Sequence, residues 1–444
     1  MAVGRGRAHP HRCRRTSLGL RSRLPHALES VLTRVLLFTG KGGVGKTTVA
    51  GATAVRAASR GQRVLVTSTD PAHSLADAFG TVLGDDAGAV PPPLDWLDWP
   101  AGGRLDAQQI DAQTRLERHW REVRDYLVAV FAWGGVAEVQ AEELLLLPGL
   151  DELFALIDLI RQVESGRYDL VVVDCAPTAE TLRLLGLPDA LRWYVDRVLQ
   201  PGRRIARAVR PLARGLQAPG AGVPVPDDEV FSAVERVHHD LGVVHELLQD
   251  PQQATMRLVV NPERLVIAET QRTATSLALF GYAVDAVVVN RLLPDAIDDP
   301  YLRRWKQRHA EHLATVRTGF APTPVLTAPL LEDELAGIDG LLDFGALLYG
   351  DVDEAAVLHA QRTVSVERDG DTHVLRVALP FAVKDDLDLH RRGGDLHVRV
   401  AGTKRTVPLP SALRRLEVAG ARLEAGWLEV RFAPAARPTA AVGP

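Results

Sequence analysis

The stretch LLFTGKGGVGKTT, residues 36–48, decides the fold. Val35 to Phe38 is a short apolar, β-favouring run that stops at a glycine, which reads as a buried strand. Gly40-x4-Gly45-Lys46-Thr47 then matches the phosphate-loop pattern. Glycines let successive backbone N–H groups turn inward and form a concave nest for anionic oxygens. The helix expected from about Thr47 to Arg60 adds its positive N-terminal end at the same point. Gly40, Gly42, Gly43, Val44, Gly45, Lys46, Thr47 and Thr48 are therefore the expected ATP-binding residues. Lys46 faces the β- and γ-phosphates, and the Thr47 hydroxyl is a ligand for Mg²⁺. Lys41 is a second lysine that this pattern does not require.

Two further strand ends extend the pattern. In VLVTSTDPAHSLADAFG (64–80) a strand over Val64 to Thr67 is followed by Asp70. In YDLVVVDCAPTAETLRLLGLP (168–188) a fully apolar strand, Leu170 to Val173, ends at Asp174. Ligands of α/β sheets gather at such carboxyl ends. A carboxylate there is the usual second half of a phosphate-loop site, holding Mg²⁺ directly or through water. Helical stretches alternate with these strands, so the expected fold is α/β, with a mostly parallel sheet flanked by helices.

Composition sets the outer limits. A chain of 444 residues exceeds the usual single domain, so a second is expected. A net charge of -4 argues against a dedicated nucleic-acid binder. Cys13 and Cys175 are the only cysteines, which excludes a disulfide framework and a cysteine-based metal site within one chain. No apolar run approaches the ~20 residues that span a bilayer, and a cytoplasmic protein is expected. Residues 1–30 hold seven arginines and one acid, Glu29, and no apolar core follows them before the phosphate strand. They read as a disordered basic arm rather than a secretory signal.

Taken together, GKGGVGKTT, STDPAHSL, LLPGLDELFAL (146–156) and DCAPTAETLRLL resemble the ArsA family of ATPases, which includes the arsenite-pump ATPase and the ATPase that targets tail-anchored membrane proteins. VVNPERLVIAETQRTATSL (259–277), VVVNRLLP (287–294) and APLLEDELAG (328–337) fit the same pattern. The resemblance covers about residues 33 to 350 and implies a role for Lys41. In that family the first lysine of the loop reaches across a dimer interface to the partner's nucleotide, with the logic of an arginine finger. One phosphate loop per chain then implies a homodimer. Asp70 resembles the residue that orients the attacking water, and Asp174 the Mg²⁺-linked carboxylate. Pro177 and Thr178 begin a switch that senses the γ-phosphate. Asn290 resembles the residue that reads the adenine edge, and Glu263 lies in a stretch bordering the nucleotide or the partner.

Departures from the family narrow the reading. Targeting members carry a Cys-x-x-Cys zinc clamp shortly after the asparagine stretch. The corresponding DDPYLRRWKQRHAEHL (298–313) has no cysteine, and its His309 and His312 read as surface residues, so no zinc site is expected. Cys175 alone does not rebuild a metalloid site. His73 reads as a structural hydrogen-bonding residue. The regions expected to handle a client, about 105–150 and 188–245, include the arginine-bearing amphipathic stretch 191–216, open to reading as a client or membrane contact or as a solvated face. Adaptable apolar grooves are often methionine-rich, yet only Met1 and Met256 are present.

After Gly350 the composition changes. Residues 351–362 read as a linker. From Thr363 the apolar period becomes two: Leu375, Val377 and Leu379, then Leu387 and Leu389, then Leu396, Val398 and Val400 around an Arg-Arg-Gly-Gly turn. A small all-β sandwich is expected over 363–434, followed by a tail, 435–444. The spacing of Ala421, Gly426, Leu428, Val430 and Pro434 resembles the closing motif of the small-heat-shock (α-crystallin) domain, which some bacterial ArsA-like ATPases carry. Two functions follow. One is a homodimeric ATPase, with ATP and Mg²⁺, whose switch motions act on a client protein or membrane-protein partner. The other is a chaperone-like scaffold in which ATP is a timer and the β domain binds. No nucleic acid is expected.

Overall fold

The structure is a computed structural model. It describes residues 33–69, 74–93, 96, 98–110, 150–176, 178, 181–182, 228–370 and 372–434. Asp70, His73 and Pro177, the basic arm, the tail and the stretch 191–216 lie outside the described residues.

The first unit is an eight-stranded sheet in the order β3-β4-β2-β5-β1-β6-β7-β8. Its strands are β1 (Arg34–Thr39), β2 (Arg63–Ser68), β3 (Gly88–Ala89), β4 (Arg104–Gln109), β5 (Leu170–Asp174), β6 (Ala254–Val260), β7 (Val284–Leu292) and β8 (Val325–Pro329). All neighbours run parallel except β3, which pairs antiparallel with β4. Among the described residues the helices that accompany it are α1 (Lys46–Ser59), α2 (Ser74–Phe79), α3 (Leu150–Glu164), α4 (Asp228–Gln249), α5 (Arg264–Phe280), α6 (Pro300–Phe320) and α7 (Gly337–Tyr349). The central strands are continuous apolar runs because helices cover both faces. Val35 to Phe38, Val64 to Val66 and Leu170 to Val173 are all buried. From β1 the chain moves outward to β2, and after β5 it crosses to β6 on the other side of β1. The crevice beyond the carboxyl end of β1 is thus the topological switch point, where open α/β sheets take their ligands.

At the opposite end of the strands lies a buried charged cluster. Arg257 and Asp285 are both fully buried, with Arg257 Nε 3.1 Å from Asp285 Oδ1. Arg34, the first residue of β1, adds a second guanidinium 3.2 Å from Asp285 Oδ2. Burial, opposed by Asp285, brings the Arg34 guanidinium down to about 10. The stretch 353–358, expected as part of a linker, is packed against this cluster. Arg257 donates to the carbonyls of Glu354 and Ala356 at 2.6 and 3.1 Å. The buried Glu354 carboxylate accepts from Arg56 Nε of α1 at 3.0 Å, and Arg60 lies 3.4 Å away.

The second unit is antiparallel throughout. β14 (Glu417–Glu424), β15 (Trp427–Ala433), β10 (Thr372–Ala378) and β9 (Val364–Asp369) form one sheet; β11 (Asp388–Arg392), β12 (Asp395–Val400) and β13 (Thr403–Pro408) form the other. A short helix, α8 (Ser411–Arg414), joins β13 to β14. Alternation of two puts Leu375, Val377, Leu396, Val398, Val400, Leu428, Val430 and Phe432 inward, and they share one core. The expected hairpin is β11–β12, turning at Gly393-Gly394. This unit sits on the carboxyl half of α5. Ser276 and Thr403 hydroxyls are 2.8 Å apart. Arg405 donates to the Leu279 carbonyl and covers the Phe280 ring. Phe381 packs on Phe320 of α6, centroids 4.8 Å apart. Among the described residues no helix is long and apolar enough to cross a membrane.

Candidate active site

The loop after β1 can be tight only because its residues lack side chains where neighbours press. A Cβ on Gly40 would stand 2.3 Å from the Val259 carbonyl oxygen of β6. Gly45 has φ +92°, and a Cβ there would stand 2.4 Å from Asn290 Nδ2. Gly45 leads directly into α1, whose first N–H groups face back into the loop.

The two lysines of the loop occupy different environments. Lys46 is buried at 5% exposure, and its ammonium makes a long hydrogen bond to the Lys41 carbonyl at 3.5 Å. The Lys41 side chain is 46% exposed and lies 3.7 Å from Glu269 of α5.

Thr47 joins the loop to the neighbouring strand end. Its hydroxyl donates to Asp174 Oδ2 at 2.8 Å and lies 3.1 Å from Ser74 Oγ. Asp174 is fully buried at the end of β5, where β5 flanks β1 in register. A hydroxyl and a carboxylate converging at a helix N-terminus are hard oxygen donors of the kind Mg²⁺ takes, so these residues fit that ion. Among the described residues no group of three or more His, Cys, Asp and Glu side chains could hold a metal. Cys175 follows Asp174 but is fully buried; burial and the Asp174 charge push its thiol well up.

The segment beyond Asp174 is tied to the same strand end. Thr181 Oγ1 donates to the Ala176 carbonyl at 2.6 Å and accepts from Thr39 Oγ1 at 3.3 Å. Thr178 is buried beside them.

Asn290, on β7, is brought to the loop from below. Its Nδ2 donates to the Val44 carbonyl at 2.9 Å, and its Oδ1 accepts from the Arg291 N–H at 2.9 Å. Its amide is thus engaged with the loop backbone. Glu263 caps the start of α5 through its carbonyl, which accepts from Ile267 at 2.9 Å, and its side chain is exposed. The nearby His309 accepts from the Leu293 N–H at 3.3 Å. Burial first, then His312, lowers its imidazole, with Glu263 opposing.

The structure therefore gathers the loop residues with Lys46, Thr47, Asp174 and Asn290, sets Lys41 on the outer rim, and leaves Glu263 at the edge. Ser74 and Glu269 were not singled out by sequence. Both lie in motif stretches, but only the fold brings them to Thr47 and Lys41.

Residues 33–350 match the model of an anion-transporting ATPase family, and residues 370–432 match an HSP20-like domain found in members of that family. A protein of Chlorobaculum tepidum, provisionally named an arsenical pump-driving ATPase, is 36% identical over 401 residues, covering 90% of this chain and 96% of that protein. One of Aquifex aeolicus with the same provisional naming is 34% identical, over 88% of this chain and 98% of its own. A protein named ATPase get3 from Pyrenophora tritici-repentis is 29% identical, over 73% of this chain and 94% of its own.

Proposed function

The chain belongs to the anion-transporting ATPase (ArsA) family, and from that premise we propose that it hydrolyses ATP with Mg²⁺ as a homodimer, each protomer lending Lys41 to its partner's nucleotide. One observation carries the reading: of two lysines five residues apart on one loop, Lys46 is buried in the cradle and Lys41 is offered outward. A cation on the rim has no work within its own cradle, but it suits a triphosphate presented by a second copy. The surroundings support this. Leu265 at 75% exposure and Leu330 at 43% come shortly after the carboxyl ends of β6 and β8, and Tyr301 at 75% and Trp305 at 40% lie in the first two turns of α6, the helix after β7. Exposed apolar residues that follow strand ends suit an interface.

In this reading the backbone of residues 40–45 and Lys46 hold the β- and γ-phosphates. Thr47 and Asp174 hold Mg²⁺, which supplies neutralisation of charge on the transferring phosphoryl group. Asp70 orients the attacking water. Asn290 fixes the loop beneath the nucleotide through Val44, and its second Nδ2 hydrogen and second Oδ1 lone pair are left to read the adenine edge. The segment containing Thr178 and Thr181 is the switch, since its hydroxyl contacts run to the end of β1. Its motion acts on a client protein or membrane-protein partner. Metalloid binding at Cys175 is disfavoured by that thiol's burial.

A second reading rests on β14, an eight-residue outer strand exposed along nearly its whole length. Such an edge accepts extended segments, which fits a scaffold timed by ATP.

The test is ATP turnover per subunit against protein concentration, with Lys41→Ala beside the parent. Turnover that rises with concentration, and its loss in Lys41→Ala with ATP still bound, is expected. Full turnover by a monomeric Lys41→Ala protein would end the dimeric reading. Suppression of client aggregation that survives the loss of turnover in Lys41→Ala but still changes with bound ATP would favour the second.

A further inference from the structure

Lys41 and Glu269 meet from different kinds of support. Lys41 rides on a loop of glycines, at Gly40, Gly42, Gly43 and Gly45. Glu269 projects from the second turn of α5, which is held at both ends. Val266 and Ile267 are buried in the core of the sheet. At the carboxyl half, Thr275 donates to the Pro380 carbonyl, Ser276 meets Thr403 at 2.8 Å, and Arg405 caps the Leu279 carbonyl. The β unit thus clamps the helix that presents the carboxylate. An anion on a clamped helix beside a long, half-exposed lysine side chain restrains its ammonium.

We propose that Glu269 is a positioning residue for Lys41: it parks the ammonium on its own protomer, and Lys41 must leave it to reach the partner's triphosphate. This rests on the dimeric reading above. The strength of the contact suits a restraint that is broken in every cycle. Both partners are half-open to water, with side chains 46% and 32% exposed, so the pair is worth a factor of about two to five in an equilibrium. A buried pair would be too costly to break and remake.

The experiment uses the full-length protein. Mg²⁺-ATP turnover is followed against protein concentration for the parent, Glu269→Gln and Glu269→Asp, at low salt and at 0.5 M NaCl. Dimer formation with ATP is followed by sedimentation, with each Glu269 variant repeated in a Lys41→Ala background. Glu269→Gln keeps the shape of the side chain and removes its charge. Its half-maximal protein concentration is expected to fall by about two- to fivefold, with KM for ATP unchanged. Glu269→Asp should stay near the parent. The shift should vanish at 0.5 M NaCl, where exposed charges are screened, and in the Lys41→Ala background. A Glu269→Gln protein with the parent's concentration dependence, or the same shift without Lys41, overturns the inference while leaving the dimer intact. Turnover independent of concentration in the parent sinks the dimeric reading and this inference together.

Discussion

The Thr47 hydroxyl donates to Asp174 Oδ2 at 2.8 Å, so the start of α1 and the end of β5 meet in one half-buried hydrogen bond. Asp174→Asn keeps the shape and removes the charge. It should weaken Mg²⁺ dependence by about 10- to 100-fold and lower turnover at least as much. Titration of ATPase activity with Mg²⁺ checks this; an unshifted midpoint would remove Asp174 from the metal's environment.

Gly45→Ala should abolish nucleotide binding without unfolding the protein. The methyl group meets the Asn290 amide at 2.4 Å, at a φ of +92° that an L-residue rarely holds. Binding of a fluorescent ATP analogue, with far-UV circular dichroism as the folding control, reports the outcome. Retained affinity would mean that Asn290 can withdraw from Val44 freely.

Asp285→Ala should be among the most damaging substitutions away from the nucleotide site. It leaves Arg257 fully buried, and Arg34 beside it, without their shared carboxylate. Loss of one member of a buried pair costs about 3–5 kcal/mol, read as a lower denaturant midpoint for the ATPase unit. A change under 1 kcal/mol would show that the cluster relaxes or admits water.

The β unit should lose stability in acid through Glu429. Arg422 at 2.7 Å holds its carboxyl below the ordinary glutamate range; burial opposes, and Arg376 at 2.6 Å adds to the depression. A carboxyl lowered on folding stabilises fully above its unfolded value, roughly pH 4.3. That contribution disappears as pH falls through the folded value. Both arginines are half-exposed, so the effect is about 1 kcal/mol. Glu429→Gln should flatten the acid limb of thermal stability below about pH 4.3 and lower it at neutral pH. Parallel curves for the two proteins would contradict this.

What could be read from sequence was local. The phosphate loop, β1 and α1 announce themselves because their signals lie in one unbroken stretch, 34–59. Asp174 was legible because an apolar run ends on it. The alternation in 375–400 gave the sandwich because one buried face imposes a period of two. The Asn290 bond to Val44 and the Glu269 contact with Lys41 were not legible. They depend on how β7 and α5 lie beside a loop more than 200 residues earlier. Arg257 was hidden for a different reason: an arginine inside the strand ATMRLVV looks like a solvent-facing residue until its partners Asp285 and Glu354 are placed.

The short passage from Asp353 to Leu358 looks dispensable by composition, yet it supplies the counter-ion of Arg56 and two acceptors for Arg257. The ATPase half is therefore not severable where its family match ends, at residue 350. A gene trimmed there would strip Arg56 of its carboxylate and leave Arg257 with Asp285 but without its two carbonyl acceptors, and one trimmed a few codons after Leu358 would not. The passage therefore serves the first unit as its closing plug, although it lies on the way to the second.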